Sequence, residues 1–225
     1  SDTNIKTSSN NSGAVMVTGG GTLTANNVTA ETDGNSSAPI RSDRGGGTLN
    51  VNGGTYTSHG TGSPVIYSTA DIIVNNANLT STASEGVVVE GKNSVTLNNA
   101  TMEATNTKLN GNSETYKSIF IYQSMSGDAD VGTSSFTAKD SKIVNNKGEI
   151  IFVTNTSTVI ELENNEIINN DADGGFLKIG AAKWGTSGSN GGNVTLNAKN
   201  QKIEGDILVD NISTLDLSLK NGSSY

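Results

Sequence analysis

Apolar residues return along this chain in pairs one residue apart, each pair followed by a polar bend and a further apolar position. The motif reads Leu23-Thr24-Ala25-Asn26-Asn27-Val28-Thr29-Ala30, then Leu49-Asn50-Val51-Asn52-Gly53-Gly54-Thr55-Tyr56. Further copies begin at Ile72, Val95, Phe136, Ile160, Val194 and Leu217. Alternation with period two puts both members of each pair on one face of a strand. The second members are Ala25, Val51, Val74, Leu97, Ala138, Leu162, Leu196 and Leu219, with spacings of 26, 23, 23, 41, 24, 34 and 23. A step of 23 to 26 residues suits three short strands and three turns, and the longer steps are the same repeat carrying insertions.

Two residues past the second member stand Asn27, Gly53, Asn76, Asn99, Asp140, Asn164 and Asn221. These types tolerate a left-handed backbone. The spacing therefore predicts one sharp bend at the same phase of nearly every repeat, with turn amides bonding from one repeat to the next. A third strand follows each motif, near 39–42, 65–68, 87–90, 119–122, 150–153, 176–179 and 207–209, each mostly β-branched or bulky. The Val194 copy departs from the motif by extra residues before Ile203.

The expected fold is all-β: a single domain over residues 1–225, a right-handed single-stranded parallel β-helix, or solenoid, of about seven rungs with loop insertions. An antiparallel sandwich would need hairpin turns and would not hold an Asn column at one phase. Composition agrees with a thin, repeated core. Only 32% of the chain is hydrophobic and 4% aromatic, with 27 glycines. The net charge of −8 and the sparse, scattered Lys and Arg exclude nucleic acid as a partner, and no run approaches the ~18 apolar residues of a membrane insertion. The absence of cysteine removes disulfides and thiolate chemistry and fits a bacterial exported protein. The final repeat begins at Leu215 without a polar cap, so further rungs or domains of the same polypeptide are expected as neighbours.

At these motifs the chain resembles the pectate-lyase-like right-handed β-helices, and among them the Gly/Asn/Thr-rich helices of bacterial adhesins, autotransporter passengers and repeats labelled carbohydrate-binding. The segments from Gly19 to Asn27 and Leu49 to Tyr56 carry the likeness most plainly. The resemblance implies that the Asn27-type turns are the tight ones. It also implies that a ligand groove would run along the third strand of each rung, the sheet of Arg41, Tyr67, Glu90, Tyr122 and Lys178. Sixteen residues past their anchors, Arg41, Tyr67, Glu90 and Lys178 are expected in one outward column.

Three insertions border that sheet in this mapping. Residues 103–118 contain Tyr116, residues 124–133 contain Asp128 and Asp130, and residues 180–193 contain Lys183 and the only tryptophan, Trp184. The last two lie two rungs apart at one corner, with a short turn at 154–158 between them. Trp184 either offers a face on which a sugar ring stacks or folds back over apolar surface. Tyr67 and Tyr122 either extend such a platform or pack across rungs.

Catalytic signatures are missing. The Asp-Asp pair and Gly-His-Gly of pectin hydrolases and the arginine-centred motif of pectate lyases are absent, and His59 sits in a polar turn. There is no Gly-x-Ser-x-Gly and no phosphate loop, and no cofactor is expected. Asp171 and Asp173, like Asp128 and Asp130, place carboxylates one residue apart, but calcium needs six to eight oxygens and these read as solvated turns. The leading functional reading is a secreted or cell-surface, non-catalytic binding or adhesion module for a glycan or host surface protein. A structural stalk and a polysaccharide-cleaving enzyme without a familiar motif are the alternatives.

Overall fold

The computed structural model describes residues 3–109 and 114–225. All of its regular structure is strand, arranged in one sheet of 13 strands and one of 8, and every pairing is parallel. Each strand bonds to the strand at the same place in the next repeat, which gives three ladders.

The first ladder holds the motif pairs. It runs from Gly21–Thr32 and Gly47–Ser58 through Asp71–Asn75, Ser94–Asn98, Thr133–Lys139 and Thr156–Glu163 to Gly192–Lys199 and Thr214–Lys220. The second follows the bend and contains Asn78–Ser81, Thr101–Ala104, Lys142–Asn145 and Glu166–Asn169, continued by the far halves of the two 12-residue strands and by Thr3–Thr7. The third is the 8-stranded sheet from Val15–Val17 to Ile207–Val209, and its last seven members fall on the expected third strands. Thr3–Thr7 and Val15–Val17 precede the first full motif and are not foreshadowed by it.

Register explains the core. Ala25 pairs with Val51, Val51 with Val74, Val74 with Leu97, Leu97 with Ala138 and Ala138 with Leu162. Leu49, Val51, Ile72, Val74, Val95 and Leu97 are all 0% exposed. They join Ile66, Val87, Val89, Ile119 and Ile121 of the third ladder in one apolar cluster. Each such side chain contributes about 1.5–3 kcal/mol by leaving water.

The copy placed at Val194 sits two residues later than its sequence suggests. Leu162 pairs with Ala198, not Leu196, and Ile160 pairs with Leu196. The true copy runs from Leu196 to Ile203 and needs no extra residues, and its bend is Asn200.

The bend column is uniformly left-handed. Asn27, Asn76, Asn99, Asp140, Asn164, Asn200 and Asn221 have φ between 47° and 56°, and Gly53 has φ 69°. A side chain on the neighbouring Gly54 (φ 98°) would run into the Val28 carbonyl. Asn99 Nδ2 donates to Asn76 Oδ1 at 2.7 Å, Asn164 to Asp140 Oδ1 at 2.7 Å and Asn200 to Asn164 Oδ1 at 3.1 Å. One position earlier a second ladder climbs the stack. Asn52 donates to Asn26, Asn75 to Asn52 and Asn98 to Asn75, each at 3.0 Å. Past Asn98 the column turns ionic: Glu163 lies 3.6 Å from Lys139 and 2.8 Å from Lys199.

Candidate functional site

The outward face of the third ladder is where the insertions converge. Its register column is Met16, Arg41, Tyr67, Val88, Phe120, Phe152, Lys178 and Leu208. Arg41, Tyr67 and Lys178 share the expected column, but Glu90 does not. Glu90 stands two residues further along its strand, opposite Tyr122. Both positions point outward, and the connection into this rung differs in length from its neighbours.

Ile40–Ser42, Ile66–Ser68 and Leu177–Ile179 of this sheet alternate buried and half-exposed residues. Val87–Glu90 and Lys117–Tyr122 are buried at every position, and Glu149–Thr154 at all but its first. Their outward residues Val88, Phe120, Tyr122 and Phe152 form a second apolar cluster, separate from the interior one, with Tyr67, Ala182 and Trp184 packed against it. Phe120 stacks on Tyr122 at 4.4 Å and on Phe152 at 5.6 Å, and Trp184 tilts onto Tyr122 at 5.2 Å. Trp184 is thus half-buried at the root of its loop.

The insertions cover this cluster. Lys178 Nζ donates to Thr115 Oγ1 at 3.2 Å and lies 5.4 Å from the Phe152 ring centre. Lys183 faces Glu114 at 3.6 Å, and Lys147 lies over the Tyr116 ring. Lys117, fully buried, pairs with Glu85 at 3.0 Å and caps the Phe120 ring at 4.4 Å. A buried ion pair is poor evidence of net stability, but losing either partner strands a charge. The part of the 103–118 insertion at 110–113 lies outside the described residues.

Glu90 is 1% exposed and is the polar hub of the face. Its carboxyl accepts from the Tyr67 and Ser124 hydroxyls and, at 3.1 Å, from Tyr122. Burial, followed for Tyr67 by the charge of Glu90, pushes both phenols above the ordinary tyrosine range. Ser126 Oγ lies 3.5 Å from Glu90 Oε1 and 3.0 Å from Asp128 Oδ2. Asp128 receives Arg44 Nε at 2.7 Å, and this hydrogen bond holds the Asp128 carboxyl below its usual range. Two carboxyls are therefore near one another, as acid–base hydrolysis of a glycoside asks, but a serine hydroxyl lies between them where a substrate would have to. Glu90 is also sealed beneath hydroxyls, and its geometry fits the holding of two phenol rings.

No family model, curated protein or solved structure matches this chain. The reading of the site therefore rests on its own geometry.

Two open places flank the covered cluster. The first is a pocket of about 200 Å³ bordered by Ser36, Ala38, Arg41, Gly62, Pro64 and Tyr67. Arg41 lies 5.8 Å from the Tyr67 ring centre, donates to the Ser36 carbonyl at 3.0 Å and pairs with Asp43 at 3.0 Å. Its buried Nε has no hydrogen-bond partner among the described residues. The second is a cleft between the two corner loops, with the short turn at Asn155 as its floor.

Elsewhere, Asp171 pairs with Lys147 at 3.0 Å, and the Gly148 N–H it accepts at 2.8 Å keeps its carboxyl low. Asp173 is exposed beside it, and Asp130 pairs with Lys92 at 2.9 Å. His59 lies 3.3 Å from Glu31, in a group with Asp33 that Lys6 also reaches. The sequence did hold one overlooked sign of the outer cluster. Ile119-Phe120-Ile121-Tyr122 and Ile150-Ile151-Phe152-Val153 are apolar at both parities, as strands buried on two faces must be.

Proposed function

We propose that this chain is a right-handed parallel β-helix akin to the pectate-lyase-like proteins, and that it works as a non-catalytic binding or adhesion module on a bacterial surface or in secretion. The crossover rule supports that hand: parallel strands of one sheet joined through a crossover wind right-handed in about 98% of cases. The ligand class is a glycan or a host surface protein, held along the third-ladder flank.

The observation that carries this reading is the Arg41–Tyr67 pocket. It sets a guanidinium, held by the Ser36 carbonyl and Asp43, beside an aromatic ring whose hydroxyl is fixed by buried Glu90. A cation and a ring that are both already immobilised lose little entropy when a ligand docks on them. Trp184 serves the site as an anchor that fixes its loop.

The test is a glycan array together with host-cell binding, comparing the parent with Arg41→Gln after circular dichroism shows an intact fold. The parent is expected to bind, and Arg41→Gln to weaken binding about tenfold, the effect of losing one charge-assisted bond of roughly 1.4 kcal/mol. Binding unchanged by the substitution removes the pocket from the reading. A parent that binds nothing favours the stalk, which the regular rung-on-rung stacking also suits.

A further inference from the structure

We infer that the corner cleft between residues 123–132 and 180–191 is a separate seat for an uncharged saccharide residue. It lies outside the Arg41 pocket and deepens the binding reading by naming a ligand class for a second place.

The cleft arises from unequal connections between the third and first ladders. Tyr122 is followed by a loop that ends at Gly132, and Ile179 by one that ends at Gly191. In the rung between them the strand ending at Thr154 is joined to the strand starting at Thr156 by Asn155 alone. Asn155 makes that turn with φ 53°. Two tall walls and a low middle leave a notch two rung spacings wide, about 10 Å. Its volume is about 310 Å³, the small end of the ~300–1,000 Å³ range of ligand sites.

Its walls are fixed before anything binds. Asn155 Nδ2 donates to the Gln123 carbonyl at 2.7 Å, and Asn155 N to the Asn190 carbonyl at 3.1 Å. The Asn190 amide donates to the carbonyls of Ala182 at 2.7 Å and Trp184 at 2.9 Å, tying the far loop across its own base. Trp184 then pins that base to the outer aromatic cluster. Lys92 N donates to the Asp130 carbonyl at 2.9 Å and holds the near loop. Preorganisation of this kind lowers the entropy cost of binding.

The chemistry of the lining selects the ligand. Gln123, Thr133, Asn155, Ser157, Ser189 and Asn193 border the cleft, and among the described residues no Asp, Glu, Lys or Arg does. Amides and hydroxyls both donate and accept, which matches a sugar hydroxyl. A carboxylate or ammonium ligand would find no counter-charge there. Gln123 is 3% exposed, and its side-chain carbonyl has no hydrogen-bond partner among the described residues. The exposed column Thr133, Ser157, Asn193 and Thr214 continues the hydroxyl and amide pattern along the stack, so a linear glycan has polar partners beyond the cleft.

The experiment is a titration followed by amide NMR, using neutral mono- and disaccharides (hexoses and N-acetylhexosamines) with uronic acids as the charged comparison. The expected result is saturable shifts at Asn155, Ser157 and Gly191 with at least one neutral sugar and none with the uronates. Ser157→Tyr, which fills the cleft, should weaken this binding tenfold or more. If Ser157→Tyr does not fold, Asn193→Asp adds a charge at nearly constant shape and should do the same. Arg41→Gln should leave the neutral-sugar shifts unchanged, which separates this seat from the other pocket. Absence of shifts with every neutral sugar, shifts that map elsewhere, or binding untouched by the cleft variant overturns the inference.

Discussion

The molecule has two apolar clusters, and they are made differently. The inner one draws on rung after rung, is chiefly aliphatic, and repeats in register from Ala25 to Ala198. The outer one draws on three strands, is mainly aromatic, and closes only because insertions fold over it. A repeat can specify the first, since each rung needs only a pair of apolar residues at the right phase. The second needs chain outside the repeat. The difference separates what makes the stack from what individualises it, and both open pockets border the individual part.

Charge inside the stack breaks the comparison most severely. Val74→Asp places a carboxylate between Val51 and Leu97, where every neighbour is apolar. It should cost more than about 4 kcal/mol and abolish the native far-UV spectrum, because an unpaired buried charge has no solvent or partner. Retention of a parent-like denaturation midpoint would show that the column is not sealed.

Phe120→Ala tests the outer cluster. Truncating a buried Phe costs about 3–5 kcal/mol. Hydrogen exchange should then rise in the loops around Thr115 and Trp184 while the first-ladder strands keep their protection. Equal loss of protection in both would mean that the clusters fold as one unit.

Asn99→Val probes the bend column common to all rungs. A β-branched residue at φ 49° is strained, and the bond to Asn76 is lost, so denaturant unfolding should show a loss of about 1–3 kcal/mol.

The smallest effect compares tyrosines across the wall. Tyr56 lies in the inner cluster, 0% exposed, with a hydroxyl that has no partner among the described residues. Tyr56→Phe should change stability by less than about 1 kcal/mol, in the stabilising direction, whereas Tyr67→Phe removes a partner from buried Glu90 and should destabilise. Burial lifts the Tyr56 phenol to about 12, and Tyr67 and Tyr122 are raised as well. These groups hold their protons more tightly when folded. Stability is therefore full below the unfolded tyrosine value of about 10 and falls as pH rises above it. Alkaline titration at 295 nm should show these three phenols ionising late or with unfolding.

What the sequence conveyed follows the same division. Strand phase, the bend column and the inward faces were legible because each is repeated eight times over. The two misplacements, Leu196 and Glu90, are both slips of two residues. Such a slip keeps parity, so the side chain still faces the right way and the hydrophobic pattern cannot detect it. Asn200 settles the first, since only it supplies the left-handed bend. Nothing local settles the second, because the length of the connecting turn decides it. The corner with its two long loops and short middle turn was legible from the insertion lengths, whereas the pairing of Lys117 with Glu85 depends on loop paths, which carry no period to read.

The identical phase of the bends makes the length of this molecule countable. Asn76 and Asn99 are 23 residues apart and occupy equivalent places. Cutting residues 76–98 would join Asn75 to Asn99 and leave Val51, Val74 and Ala138 aligned with one storey fewer, while taking Glu85 from Lys117 and Glu90 from Tyr67 and Tyr122. Duplicating the same segment would add a storey. Extent along the axis thus changes only in whole steps of about 4.8 Å, so the chain behaves as a graduated rod whose span can be lengthened or shortened by copying or deleting one mark.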